Sequence, residues 1–167
     1  MKQTVRAYIQ KLDLQPHPEG GFYKETYRSV QVIDVDLHGE GSLLSRNACT
    51  GIHFLLEQDN FSAFHKIRSD EMWHFYAGQA LEIIELRETG ELRCTRLGAN
   101  FMEGDLHQYV VPADTWFACR VAQGGHFSLV GCTVAPGFHF DDFHLADRDE
   151  LIARYPRHQE IIRTLTR

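Results

Sequence analysis

The chain has 167 residues, 43% of them apolar, and a formal net charge of −6. That length fits one domain with a hydrophobic core of its own. The negative charge argues against nucleic acid and anionic membranes as partners, and no apolar run approaches the ~18 residues of a membrane-spanning helix. The opening Met1-Lys2-Gln3-Thr4-Val5-Arg6 has no apolar stretch of the kind a secretory leader carries. Cys49, Cys94, Cys119 and Cys132 are scattered and never form a CxxC pair. Three of them fall in apparent strands, where buried free thiols are common. Reduced cysteines and a cytoplasmic address are the expectation.

In chain order, residues 2–12 read as a short amphipathic helix, because Val5, Tyr8, Ile9 and Leu12 repeat at helical spacing. Pro16, Pro18, Gly20 and Gly21 stop it. Phe22 to Ser29 alternates as a strand, and residues 30–38 extend it or form a second one. Gly39-Glu40-Gly41-Ser42 reads as a loop. Cys49 to Glu57 is a strand, with His53 out of phase with Ile52 and Phe54, and Gln58-Asp59-Asn60 turns the chain. Residues 61–67 and 71–77 read as strand, turn, strand about the polar Arg68-Ser69-Asp70. Leu81 to Leu86 and Leu92 to Leu97, joined by Glu88-Thr89-Gly90-Glu91, form the clearest hairpin. Gly104 to Val111, Thr115 to Val121 and Phe127 to Val134 are further strands. Asp147 with Glu150 resembles a capping box and starts a helix of roughly 148–154. Pro156 opens a second helix, with Ile161, Ile162 and Leu165 as its apolar stripe. The pattern predicts an all-β antiparallel sandwich or barrel, with helical segments at both ends packed outside it.

The chemistry concentrates in residues 61–78. Phe61, Ala63, His65 and Ile67 share one face at period two. The strand–turn–strand reading carries His65 and Glu71 to neighbouring positions on adjacent antiparallel strands. Their surroundings are apolar, and a polar pair in such a setting needs a partner or a purpose. If Glu71 points inward, Trp73 and Phe75 do too, while Met72, His74 and Tyr76 point to the other face unless a bulge near Gly78 intervenes.

His65, Glu71 and Gly78 stand at the spacing of the first motif of the cupin superfamily, and the segment resembles it. Further stretches, His17-Pro18-Glu19-Gly20-Gly21-Phe22-Tyr23, Ser69-Asp70-Glu71-Met72-Trp73-His74 and Val134-Ala135-Pro136-Gly137-Phe138, resemble an uncharacterised cupin branch labelled predicted sugar epimerases. The resemblance covers nearly the whole of residues 1–167 and implies a single cupin jelly-roll domain. Its barrel core spans about 22–140 and its C-terminal helical segment about 147–166. Two of the four usual metal-ligand positions depart from the family pattern, and in the second motif Asp114 stands where a glycine would be, with seven residues between Gly104 and Pro112 in place of five. Ile67 stands where the second metal-binding histidine belongs, and Phe117 where the histidine of the second motif belongs. His65 and Glu71 alone fall short of the ligand count a divalent metal wants. The resemblance thus implies no confident cofactor. A metal, if held, would need His53 as a third ligand beside His65 and Glu71.

By analogy with metal-free cupin epimerases, the resemblance implies acid–base work on a small polar or sugar-like molecule. His65, or His53 if the strand phase differs, would be the base. Tyr76, Tyr109 or Tyr23 would be the acid, and Lys66 or Arg28 would face the enolate. His65, Glu71 and Tyr76 are the candidate catalytic set. Tyr23, Arg28, His53, Trp73, His74, Tyr109 and Trp116 are candidate ligand contacts. Glu19 is placed at the mouth or in a purely structural turn. Asp141 and Asp142 read as a solvated pair. A binding module that senses or stores a small ligand, and an atypical metal-dependent enzyme, are the competing readings. Cupins of this size resemble one another in forming dimers, so a homodimer is expected.

Overall fold

The computed structural model describes residues 2–37, 39 and 41–167. Met1, His38 at the end of the second expected strand, and Glu40 in the expected loop lie outside that range. An N-terminal helix, α1 (Lys2–Lys11), is followed by strands β1 (Gln15–Pro16), β2 (Phe22–Arg28), β3 (Val32–Val35), β4 (Leu44–Asn47), β5 (Thr50–Glu57), β6 (Phe61–Ile67) and β7 (Asp70–Gly78). Then come β8 (Leu81–Leu86), β9 (Leu92–Leu97), β10 (Gln108–Val111), β11 (Trp116–Val121), β12 (Phe127–Ala135) and β13 (Phe143–Leu145), and the chain closes with α2 (Arg148–Arg154) and α3 (Gln159–Thr164).

Two antiparallel sheets face each other as a jelly roll. One has the order β1-β2-β5-β12-β7-β10, the other β13-β6-β11-β8-β9, and β3 pairs with β4 in a small separate sheet. The inward residues of both sheets, among them Phe54, Leu56, Trp73, Ile83, Phe117 and Val130, form the central core. Helix α1 covers the outer face of the six-stranded sheet through Val5, against Leu55, Phe127 and Leu129. Helices α2 and α3 cover the outer face of the other sheet, where Leu151, Tyr155, Ile162 and Leu165 meet Phe64, Ile84, Leu86 and Ala118. Asp147 caps α2 through hydrogen bonds from Asp149 N and Glu150 N, as the capping-box reading requires. No helix among the described residues is long and apolar enough to cross a membrane.

Two expectations are corrected. Strands β6 and β7 are not a hairpin: they belong to different sheets, and Arg68-Ser69 carries the chain from one sheet to the other. The β6 face is also not continuous. A bulge shifts the β6–β11 register between the pairs Phe117↔His65 and Cys119↔Ser62. Phe61 therefore joins Phe64 on the helix-covered side, while Ser62 hydrogen-bonds Glu19 in the interior.

Candidate functional site

Between the sheets, at the end where β6 passes into β7, lies a cavity of about 610 Å³. Its walls are mostly apolar. Phe54, Ile52, Trp73, Cys132 and Val134 come from the six-stranded sheet, Ile67 from β6, and Phe138, Phe140 and Phe143 from the segment that follows β12. Among the titratable side chains that line it, His17, Glu19, His65 and Glu71 interact with one another. His65 and Glu71 come from opposite sheets, and His17 and Glu19 arrive on the turn between β1 and β2.

That turn is shaped by its glycines. Gly20 and Gly21 both adopt positive φ. A Cβ at Gly20 would strike the Phe61 carbonyl and the Arg167 guanidinium. Only glycine permits so close a passage. The result buries Glu19, whose backbone carbonyl accepts from Ala63 N at 2.9 Å. Its Oε1 accepts from Ser62 Oγ at 2.9 Å, and its Oε2 lies 3.2 Å from His65 Nε2 and 3.5 Å from His17 Nδ1.

His65 is 2% exposed. Its Nδ1 lies 2.7 Å from the Ala63 carbonyl. A carbonyl only accepts, so the network assigns a proton to Nδ1. Nε2 then meets a carboxylate oxygen, and a proton between the two makes that contact favourable. Both ring nitrogens of His65 are thus engaged by protein atoms. Glu71, 8% exposed, turns its carboxyl into the cavity. Burial pushes that carboxyl up to about 7; His65 pulls it back and Glu19 pushes it further. Burial likewise raises Glu19, with His17 opposing. It lowers both His65 and His17, against the pull of Glu71 and Glu19 respectively. The buried Trp73 indole N–H makes no hydrogen bond of standard geometry, yet it lies close enough to donate weakly to the Glu71 carboxyl and holds its pKa down a little.

Of the residues singled out in the sequence, His65, Glu71, Glu19, Trp73, Tyr23 and Arg28 line this cavity. Tyr23 meets His17 edge-on, with ring centroids 4.6 Å apart. Arg28 binds both carboxylate oxygens of Glu25, at 2.9 and 2.7 Å. The other candidates lie elsewhere, and strand parity accounts for His53, His74 and Tyr76. His53 alternates with the inward Ile52 and Phe54, so it faces outward beside Tyr76, with ring centroids 5.8 Å apart. Tyr76 is 51% exposed and fills the space a Cβ at Gly131 would need. The set His65, Glu71 and Tyr76 is therefore not brought together. His74 is held on the same outer side by Thr133 and Gln108, each at 3.0 Å. Tyr109 donates to Glu85 at 2.6 Å, away from the cavity. Trp116 packs under the C-terminal helices, with Lys66 Nζ 5.2 Å from its ring.

The sequence reading gave no site role to His17, Glu25 and His139, nor to Phe140 and Phe143 of the aromatic rim. It also misread Asp142, which is buried and takes a bidentate bond from Arg46 at 2.6 and 2.7 Å. The signal was present in the double glycine of the 17–21 turn and the aromatic density of residues 138–143.

The donors do not fit a metal. Ile67 occupies a cavity wall, the Phe117 ring packs 4.2 Å from His65, and His53 faces away. Among the described residues no group of three or more His, Cys, Asp or Glu is arranged to hold an ion.

The comparisons with known proteins agree with this architecture. The profile of the family described as "Cupin superfamily (DUF985)" matches residues 6–146. The crystal structure of protein SO0799 from Shewanella oneidensis is similar at a TM-score of 0.86 and 39% identity, covering 98% of this chain and 97% of that one. A hypothetical protein from Leishmania major is similar at a TM-score of 0.89 and 33% identity, covering 97% and 98%. The uncharacterized protein YML079W of Saccharomyces cerevisiae is 28% identical over 158 residues, 89% of this chain and 78% of its own. The chain belongs to the cupin superfamily, in the family described as DUF985.

Proposed function

We propose that the protein binds a small polar, sugar-like molecule in the cavity between its sheets and moves a proton on it, as an epimerase or isomerase. One observation carries the reading: Glu71 turns a carboxyl poised near neutrality into an aromatic-walled cavity, beside a Glu19–His65 pair. A general base works best when its pKa lies near the working pH. Glu71 as carboxylate takes a proton from carbon next to a carbonyl, and the electron pair moves to the carbonyl oxygen, giving an enolate and a neutral Glu71. Water gives a proton to the same carbon from the other face, and the hydroxide so formed takes the proton from Glu71, which restores the carboxylate and leaves the carbon inverted. His65 has no free ring nitrogen for the substrate, so it is a positioning residue here, holding the Glu19 proton against the cavity wall.

Solvent exchange tests the reading. Unphosphorylated keto- and aldohexoses are incubated in D2O with the protein and followed by proton NMR. The expected result is loss of the signal next to the carbonyl with wild type and at least a hundredfold slower loss with Glu71→Gln. Binding without exchange in the wild type supports the second reading, a non-enzymatic ligand-binding cupin. The engagement of both His65 nitrogens within the protein favours that alternative.

A cytoplasmic homodimer belongs to the same proposal. All four cysteines are free, and Tyr27, Met72, Tyr76 and Val110 stay exposed on strands of the six-stranded sheet. Light scattering at micromolar concentration is expected to give twice the mass of one chain; a monomer rejects the dimer.

A further inference from the structure

The charges around the cavity choose among ligands, an argument that rests on the reading that the cavity is the ligand site. Arg28 is the one permanently cationic side chain among the lining residues, and no lysine joins it. Its Nε and Nη2 are spent on the two oxygens of Glu25, at 2.9 and 2.7 Å. Its Nη1 serves Asn47 Oδ1 at 2.9 Å and the Phe138 carbonyl at 3.3 Å. Four of the five guanidinium N–H groups are therefore committed. Three glutamates, Glu19, Glu25 and Glu71, line the same space.

Phosphate and carboxylate sites are built from free guanidinium forks or helix N-termini. Here the walls are strands, loops and one three-residue 3-10 turn at Phe140–Asp142, too short to act as a helix N-terminus, and the one guanidinium is neutralised. An anion drawn inside would be buried without a counter-ion and would face carboxyl groups, an arrangement that desolvation penalises heavily. The floor does not call for a cation either. Glu19 is held by Ser62 and His65, and burial favours the neutral forms of both Glu19 and Glu71. What remains is hydrogen-bonding capacity at the floor and aromatic surface on the walls. Phe54 and Trp73 stand edge to face on the sheet side, and Phe138 and Phe143 on the rim. These offer apolar faces to a ring. The volume, about 610 Å³, lies in the range of ordinary small-molecule sites.

From this geometry we propose that the cavity takes an uncharged, ring-forming hydroxy-carbonyl compound of monosaccharide size and rejects its phosphate ester and its nucleotide-linked form. The class is narrower than the acid–base reading requires, because proton transfer next to a carbonyl would serve a phosphorylated sugar equally well. Glu25 is the specificity-determining residue: by occupying Arg28 it denies anions their only cation among the lining residues.

The test uses titration calorimetry and thermal shift on the full chain at pH 7 and constant ionic strength. The probes are keto- and aldohexoses, their 6-phosphates, and inorganic phosphate. At least one free hexose is expected to bind tenfold or more tightly than its 6-phosphate, with no saturable response of the wild type to phosphate. Glu25→Gln frees the guanidinium and is expected to gain a saturable phosphate response, which is lost again in the double variant Glu25→Gln/Arg28→Gln. A wild type that binds a hexose 6-phosphate as tightly as the hexose overturns the exclusion and leaves the acid–base reading standing. A Glu25→Gln protein that stays indifferent to phosphate overturns the role given to Glu25, with no sugar needed to show it. A panel in which no hexose binds overturns the ligand class, and deuterium exchange then decides the acid–base reading on its own.

Discussion

Glu71 is the side chain on which the chemistry turns, and its titration has a consequence for stability. Its pKa rises from an ordinary 4.5 to about 7 in the folded chain. The folded state therefore binds this proton more tightly than the unfolded chain does. The stability that comes with it is complete below about pH 4.5 and is lost as the pH climbs through about 7. His17 and His65 act in the opposite sense. Burial lowers them from 6.5, so their contribution is complete above that value and is lost as the pH falls through the folded value. Glu71→Gln keeps the shape of the side chain and cannot ionise. Relative to wild type it is expected to gain stability between pH 4.5 and 8, by up to about 3 kcal/mol, because each pKa unit is worth about 1.4 kcal/mol. Urea unfolding at a series of pH values measures it. A difference between the two proteins that stays constant over that range contradicts the assignment.

At the scale of elements, the site depends on two segments that are not regular strands. The 17–21 turn delivers Glu19 only because Gly20 passes against the Phe61 carbonyl with no room for a Cβ. Gly20→Ala is expected to cost about 2–3 kcal/mol, combining a strained backbone with a backbone clash. Gly90 is the control. It has a similar positive φ but open space around it, so Gly90→Ala should cost about 1 kcal/mol. Equal losses at the two positions in thermal denaturation would remove the steric argument. The rim segment around residues 138–143 is fastened by Arg46 on Asp142. Both side chains of that pair are largely buried. Arg46→Met leaves the carboxylate without its partner and is expected to cost about 3–5 kcal/mol. A loss below 1 kcal/mol in chemical denaturation would mean that Asp142 is solvated after all.

These segments also mark where the sequence was hard to read. Alternation along β7 placed Glu71 and Trp73 inward and His74 outward, and the structure agrees, because β7 keeps period two from Glu71 to Phe75, ahead of the bulge that shifts its register against β12 between Phe75 and Ala77. The Asp147 cap and α2 were legible because local hydrogen bonding alone determines them. The partners of Glu19 and the burial of Asp142 were not. They depend on residues far away in sequence, Ser62 and His65 for one and Arg46 for the other. The double glycine after Glu19 pointed to a close backbone approach but not to those partners, and nothing beside Asp142 announces its burial. The β6 bulge hid the face of Ser62 for the same reason, since the extra residue is defined only against β11.

For the molecule as a whole, His65 and Glu71 lie on opposite sheets, so the site exists only when the sandwich is closed. Closure is maintained partly from outside, by the C-terminal helices. Ile162 is fully buried between α3 and the five-stranded sheet. Ile162→Ala is expected to lower global stability by about 2–5 kcal/mol while leaving the titration of Glu71 unchanged, since the two lie on different sides of that sheet. A shift in that titration would show that the helices shape the cavity as well as stabilise the fold.

The most direct test of the account is the ionisation of Glu71 itself. Carbon-13 NMR of protein labelled at the glutamate side-chain carboxyl carbon is followed from pH 4 to 9, with Glu71→Gln providing the assignment. The account predicts one resonance that titrates near 7 and is missing from the variant. If the resonance that the variant removes titrates in the ordinary carboxylate range, near 4.5, Glu71 is an open, solvated carboxylate and the acid–base reading of the cavity is wrong.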